Sequence, residues 1–249
     1  MQAIWNIISS TASSDPVLPV FSGGGRTRAL TVVRRASVRG MRLSVDPRDA
    51  TVRLTVGKRA PLRPALGWVG EKRAWIESEL ARLPLPQPIV PDMAFDLGGM
   101  AVRIDWRADR PRRVTLADNV LAVGGPGDQL AARVMRFMRD HALKVLENET
   151  RSLANVRGIA VGNVGVGDPK GRWGSCASSG DIRYSWRLIL APADVRRATV
   201  AHEVAHRVHM NHGAAFHALV ADLNGSDPAP ARRWLRAHGT ALHWFGRDG

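Results

Sequence analysis

The sequence predicts an α+β chain on three observations. Apolar residues alternate over 29–56, they alternate again between 101 and 123, and helical apolar spacing takes over from residue 128. In the first stretch Leu30 and Val32, then Met41, Leu43 and Val45, alternate with polar residues. Asp46-Pro47-Arg48-Asp49 is a turn, and Val52, Leu54 and Val56 resume the alternation, so a hairpin is expected. Residues 68–83 have helical spacing through Val69, Trp75-Ile76 and Leu80, and end in a stretch rich in prolines from Pro84 to Pro91. Strand-like runs follow at 101–106 and 114–123.

The cluster Gly124-Gly125-Pro126-Gly127 marks the best candidate domain boundary. Three segments result: an unstructured lead-in over 1–25, a β-rich N-terminal domain with one helix over 26–124, and a second domain over 125–249. That second domain opens with a long amphipathic helix over 128–156, faced by Leu130, Val134, Met138, Val145, Leu146 and Leu153. Short strands are expected at 159–166, 172–176 and 181–190, and Pro192 opens a further helix with Asp194 in its first turn. No internal repeat is visible.

With 249 residues and 45% apolar content the chain can bury a substantial core. Its one cysteine, Cys176, cannot form an internal disulfide, so a cytoplasmic setting is expected. No apolar run is long enough for a membrane helix, and the first 25 residues lack the basic start of a signal peptide. A net charge of +14 raises the possibility of a nucleic-acid partner. Against it, lysine occurs only at Lys58, Lys72, Lys144 and Lys170, and an arginine excess of this kind can follow from coding bias alone.

Seven of the eight histidines fall between His202 and His243, and two of them frame His202-Glu203-Val204-Ala205-His206. On a helix, residues four apart share one face about 6 Å apart along the axis, so both imidazoles can meet one Zn²⁺. Glu203, rotated by about 100°, suits a general base acting on water rather than a ligand. Val200, Val204 and Val208 are expected to seat the helix. A catalytic zinc site needs a third protein ligand. No glutamate follows Glu203, which leaves His209, His212, His217, Asp222, His238 and His243. His209 would lie about 10 Å along an unbroken helix from His202, too far to share the ion. His212 is favoured if the helix ends before it, and Asn211 and Gly213 would permit a left-handed turn there. A purely structural zinc site normally uses four ligands, often cysteines, and fits a single-cysteine chain poorly. The expected activity is hydrolysis of peptide bonds by zinc-activated water, with Glu203 as catalytic base and His202, His206 and His212 as metal ligands. The alternative is a DNA-associated protein-processing or binding module that uses the basic surface.

Trp173-Gly174-Ser175-Cys176-Ala177-Ser178, Trp186-Arg187-Leu188-Ile189-Leu190-Ala191-Pro192, His202-Glu203-Val204-Ala205-His206 and Asn211-His212 with Phe216 together resemble the YgjP-like metallopeptidase family, which is related to the SprT-like zinc proteases. The resemblance runs from about Arg28 to His238-Gly239. It implies a minimal zincin-like domain behind a β-rich N-terminal portion, with zinc on His202, His206 and His212 and a protein or peptide as substrate. Ala177, Ser185 and His217 depart from the usual pattern without touching the ligands. Cys176 is either a small core residue or a thiolate that caps the metal, and an apolar strand favours the core role. Trp173 and Trp186 are expected to serve packing.

Overall fold

A computed structural model describes residues 18–248. Six helices and three sheets are present among them, a mixed α/β content compatible with an α+β class. The chain divides into two units, Met1–Leu83 and Pro84–Gly249, so the division falls at the start of the proline-rich stretch. The glycine cluster at 124–127 lies inside the second unit. No described helix is long and apolar enough to cross a membrane.

The first unit holds β1 (Val20–Gly23), β2 (Arg26–Arg35), β3 (Arg42–Val45), β4 (Val52–Gly57), α1 (Leu62–Glu71) and α2 (Arg73–Ala81). The sheet order is β1-β2-β4-β3, with β2 and β4 parallel and the outer pairs antiparallel. The hairpin expected around Asp46 is thus β3–β4. Val20–Gly23, assigned above to an unstructured lead-in, is instead a strand that pairs with β2 through a tight turn at Gly24-Gly25. Both turn glycines have positive φ (58° and 74°), the conformation that a two-residue hairpin of this hand requires. Residues 1–17 of that lead-in lie outside the described residues. The single helix expected over 68–83 is a pair that breaks at Lys72.

The second unit begins with β5 (Ala94–Leu97), β6 (Met100–Arg107), β7 (Val114–Ala117) and β8 (Val120–Gly124). Their order, β5-β6-β8-β7, and their directions reproduce those of β1 to β4. The likeness reaches individual positions. Phe21 pairs with Arg28 and Phe95 with Val102, and each hairpin turns on two glycines of positive φ, Gly98-Gly99 in the second case. The same four-strand motif therefore occurs twice, contrary to the expectation of no repeat. The strand pattern alone hides it, because any half-buried strand alternates.

After a 3-10 turn over Gly127–Gln129, α3 (Leu130–Val156) runs for 27 residues. Leu130, Val134, Met138, Ala142 and Leu146 recur every four residues and are buried, forming one wall of the main core. A small sheet of order β10-β11-β9 follows, from β9 (Val164–Gly167), β10 (Gly174–Cys176) and β11 (Ile182–Ser185). Thr150 on α3 hydrogen-bonds the Tyr184 hydroxyl of β11 at 3.0 Å, joining helix to sheet inside the core. The strand expected to run on to residue 190 ends at Ser185, whose hydroxyl accepts from the Arg187 amide and opens a 3-10 helix over Trp186–Leu190. Three helices complete the unit: α4 (Ala193–Ala205), α5 (Ala214–Asn224) and α6 (Ala229–Leu242).

Arg187 ties these pieces together. Its side chain is 3% exposed, forms a forked pair with Asp168 (2.7 and 3.0 Å), and donates to the carbonyls of Leu242 (2.7 Å) and Phe245 (3.2 Å). Arg196 likewise grips Glu149 on α3. Part of the arginine excess is therefore structural.

Candidate metal centre

The active-site candidates sit at the C-terminal end of α4. Val195, Ala198, Val200, Ala201, Val204 and Ala205 are buried and anchor the helix, while His202 emerges from its last turn. The helix stops at Ala205 with His206 as its C-cap. Val208, expected to seat the helix, lies beyond it and is exposed. The termination also differs from the expected left-handed turn at Asn211 or Gly213, neither of which has positive φ. The amides of Val208 and His209 instead fold back onto the Ala205 carbonyl, so the chain leaves the helix before either Asn211 or Gly213. That early exit lets residues 207–213 loop over and bring His212 back to the helix end.

His202, His206 and His212 offer ring nitrogens that all lie within 4.8 Å of one another. The Nε2 atoms of His202 and His212 are 3.3 Å apart. Two ligands held at 2.0–2.1 Å on a tetrahedral ion are separated by about 3.3 Å, so this pair has the spacing that zinc or a similar ion demands. Phe216 of α5 lies beneath all three rings, with centroid distances of 5.0, 4.6 and 4.7 Å, and is itself buried.

The protonation pattern fits a metal. Burial pushes the His202 imidazole down to about 4, helped by the neighbouring His206 and His212, so at neutral pH it is an uncharged donor. Burial also lowers His206, against the opposing effect of its hydrogen bond to the His209 carbonyl. That bond, 3.1 Å from His206 Nδ1, fixes the tautomer, because a carbonyl can only accept. The proton must sit on Nδ1, leaving the Nε2 lone pair available. His209 thus contributes through its backbone.

Glu203 is 5% exposed, and its carboxylate has no hydrogen-bond partner among the described residues. Burial pushes its pKa up to about 7, opposed only by Arg172. Its position depends on Gly174 of β10: a Cβ there would lie 2.4 Å from Glu203 Oε1. Gly174 is a functional candidate that sequence reasoning passed over, although it stands inside the Trp173–Ser178 motif.

The other third-ligand candidates lie elsewhere. His217 is exposed, with its ring centroid 6.3 Å from that of His212. Asp222 pairs with Arg157, His238 lies tilted against Trp234, and His243 is buried against Trp173. Cys176 is not part of the converging group. It packs against the main core, and burial raises its thiol pKa, which disfavours a thiolate. Trp186 is fully buried, as a packing residue should be, whereas Trp173 lines an open pocket beside His202 and Glu203.

A mixed α/β fold that gathers three converging imidazoles beside a buried carboxylate defines a metal-dependent hydrolase class. The sequence model of the family described as YgjP-like, metallopeptidase domain, matches residues 39–238, and the chain belongs to that family. No curated protein and no solved structure matches the chain significantly. Family membership makes it a peptidase-type hydrolase that acts on proteins or peptides and implies a metal ion.

Proposed function

We propose that this chain is a zinc metallopeptidase of minimal zincin-like architecture, with its catalytic segment within residues 125–249 and a cytoplasmic site of action. His202, His206 and His212 hold the ion, and Glu203 is the catalytic base. The observation that carries the reading is the convergence of three imidazoles next to a buried carboxylate that has no hydrogen-bond partner among the described residues. Zinc bound there supplies Lewis acidity, polarising the scissile carbonyl and making a water molecule acidic enough to lose a proton near neutral pH.

The chain's own groups do the rest. The His209 carbonyl holds His206 in one tautomer, and burial keeps His202 uncharged, so both present lone pairs without first shedding a proton. Glu203, with its carboxyl pushed up to about 7, takes the proton from the attacking water on a carboxylate oxygen and returns it to the departing amide nitrogen. Gly174 leaves the space in which that carboxylate stands. The zincin-like reading rests on α4 running beside the short strand β10, an active-site helix next to a small sheet.

The test is zinc analysis of the purified protein together with cleavage of an unstructured protein such as casein, with and without chelator. Zinc near one equivalent and chelator-sensitive cleavage are expected. Cleavage that persists without metal overturns the proposal.

A further inference from the structure

Beside the three histidines, α4, α5 and α6 enclose a pocket of about 250 Å³ that opens onto His202 and Glu203. Its walls are apolar: Trp173 on one side, with Ala198, Val220, Ala231 and Leu235 from the three helices. An apolar cavity of about 150 Å³ is enough to take up benzene from water, so this one holds a leucyl, methionyl or phenylalanyl side chain with room at the mouth. The Trp173 wall is fixed. Its indole lies so close to α6 that a Cβ on Gly239 would sit 2.6 Å from Cζ2, and the buried His243 ring backs it at 5.5 Å.

We infer that this pocket is a specificity subsite: it receives an apolar side chain of the substrate from a residue flanking the scissile bond. The inference rests on the peptidase reading above and adds the substrate class. A backbone carbonyl placed at the histidines and within reach of Glu203 puts its neighbouring side chain at the pocket mouth, because the same two residues, His202 and Glu203, line both places. The one other charged group in the lining is Arg232, which is exposed and whose guanidinium has no hydrogen-bond or ion-pair partner among the described residues. An acidic side chain could meet that guanidinium, but only by surrendering its hydration to five apolar walls, so an apolar occupant wins. Arg232 is better placed to greet a carboxylate elsewhere on the peptide.

Two measurements test this. Zinc-loaded Glu203→Gln protein is titrated calorimetrically with Gly-Gly-Xaa-Gly-Gly peptides in which Xaa is Gly, Leu, Phe or Asp. In parallel, wild-type cleavage sites in a mixed peptide pool are mapped by mass spectrometry. The Leu and Phe peptides should bind at least about tenfold more tightly than Gly or Asp, since even one methylene in an apolar pocket is worth about tenfold or more. Leu, Met and Phe should be enriched at one position flanking the cleaved bond. Ala231→Leu, which fills the pocket, should lower the Phe-to-Gly affinity ratio by about tenfold. Leu235→Ala, which enlarges it, should move the preference toward bulkier residues and guards against an Ala231 variant that fails to fold. Chelator-sensitive cleavage with a flat profile, or with acidic residues at that position, overturns the subsite while leaving the peptidase intact. Neither binding nor cleavage of any peptide overturns both.

Discussion

Gly174 and Glu203 are in direct contact across the gap between β10 and α4, with an added Cβ falling 2.4 Å from Oε1, 2.6 Å from Cγ and 2.7 Å from Cδ of the glutamate. The backbone at 174 is not left-handed, so glycine stands there for space rather than for conformation. Gly174→Ala must push the carboxylate aside. A displacement of about 1 Å at a reacting group costs on the order of 10²-fold in rate. The expected outcome is a kcat lowered by about that factor with zinc content unchanged, measured by steady-state kinetics and metal analysis of the same sample.

Glu203→Gln keeps the side-chain shape and removes the proposed base. Zinc should remain bound, because the three imidazoles are untouched, and turnover should fall by about 10²-fold or more. Retained wild-type turnover would remove Glu203 from the mechanism.

Phe216 supports all three imidazoles at once. Phe216→Ala opens a cavity beneath them and should cost about 3–5 kcal/mol of stability. Freed rings should also weaken zinc binding by about 10- to 100-fold, as loss of an orienting neighbour does. Denaturant unfolding and competition with a chelator read the two effects separately.

The Arg187–Asp168 pair gives a pH signature away from the candidate metal centre. Burial works to raise the Asp168 carboxyl, but its hydrogen bonds and charge contact with Arg187 outweigh that and hold it below the usual carboxylate range. A carboxylate depressed in the folded state stabilises above its unfolded value of about 3.9 and loses that contribution as pH falls through the folded one. Asp168→Asn should therefore flatten the loss of stability between about pH 4 and the folded value, followed by thermal unfolding across that range. Arg187→Ala should cost about 3 kcal/mol at neutral pH, the lower end for a buried pair because Asp168 keeps some access to water.

What the sequence made legible was local. Residues four apart on a helix share a face whatever surrounds them, so His202 and His206 could be paired from spacing, and the glutamate between them followed. His212 could be favoured because a continuous helix would have turned it away, but the helix end itself could not be placed. It falls at Ala205, where the carbonyl is shared by two following amides, and no glycine or proline announces it. Gly174 could not be recognised as Glu203's neighbour because 29 residues separate them and only the fold brings them together. β1 was hidden by the Ser-rich composition before it, although Gly24-Gly25 and Gly98-Gly99, each three residues after a phenylalanine, carried the signal of both a hairpin and a repeat.

The central claim is that three imidazoles hold one divalent ion, and zinc titration of wild type and His212→Ala with a competing chromophoric chelator tests it most directly. The account predicts one tightly held equivalent in the wild type and loss of that tight site in His212→Ala, with folding preserved by circular dichroism. Stoichiometric, equally tight zinc in His212→Ala would contradict it.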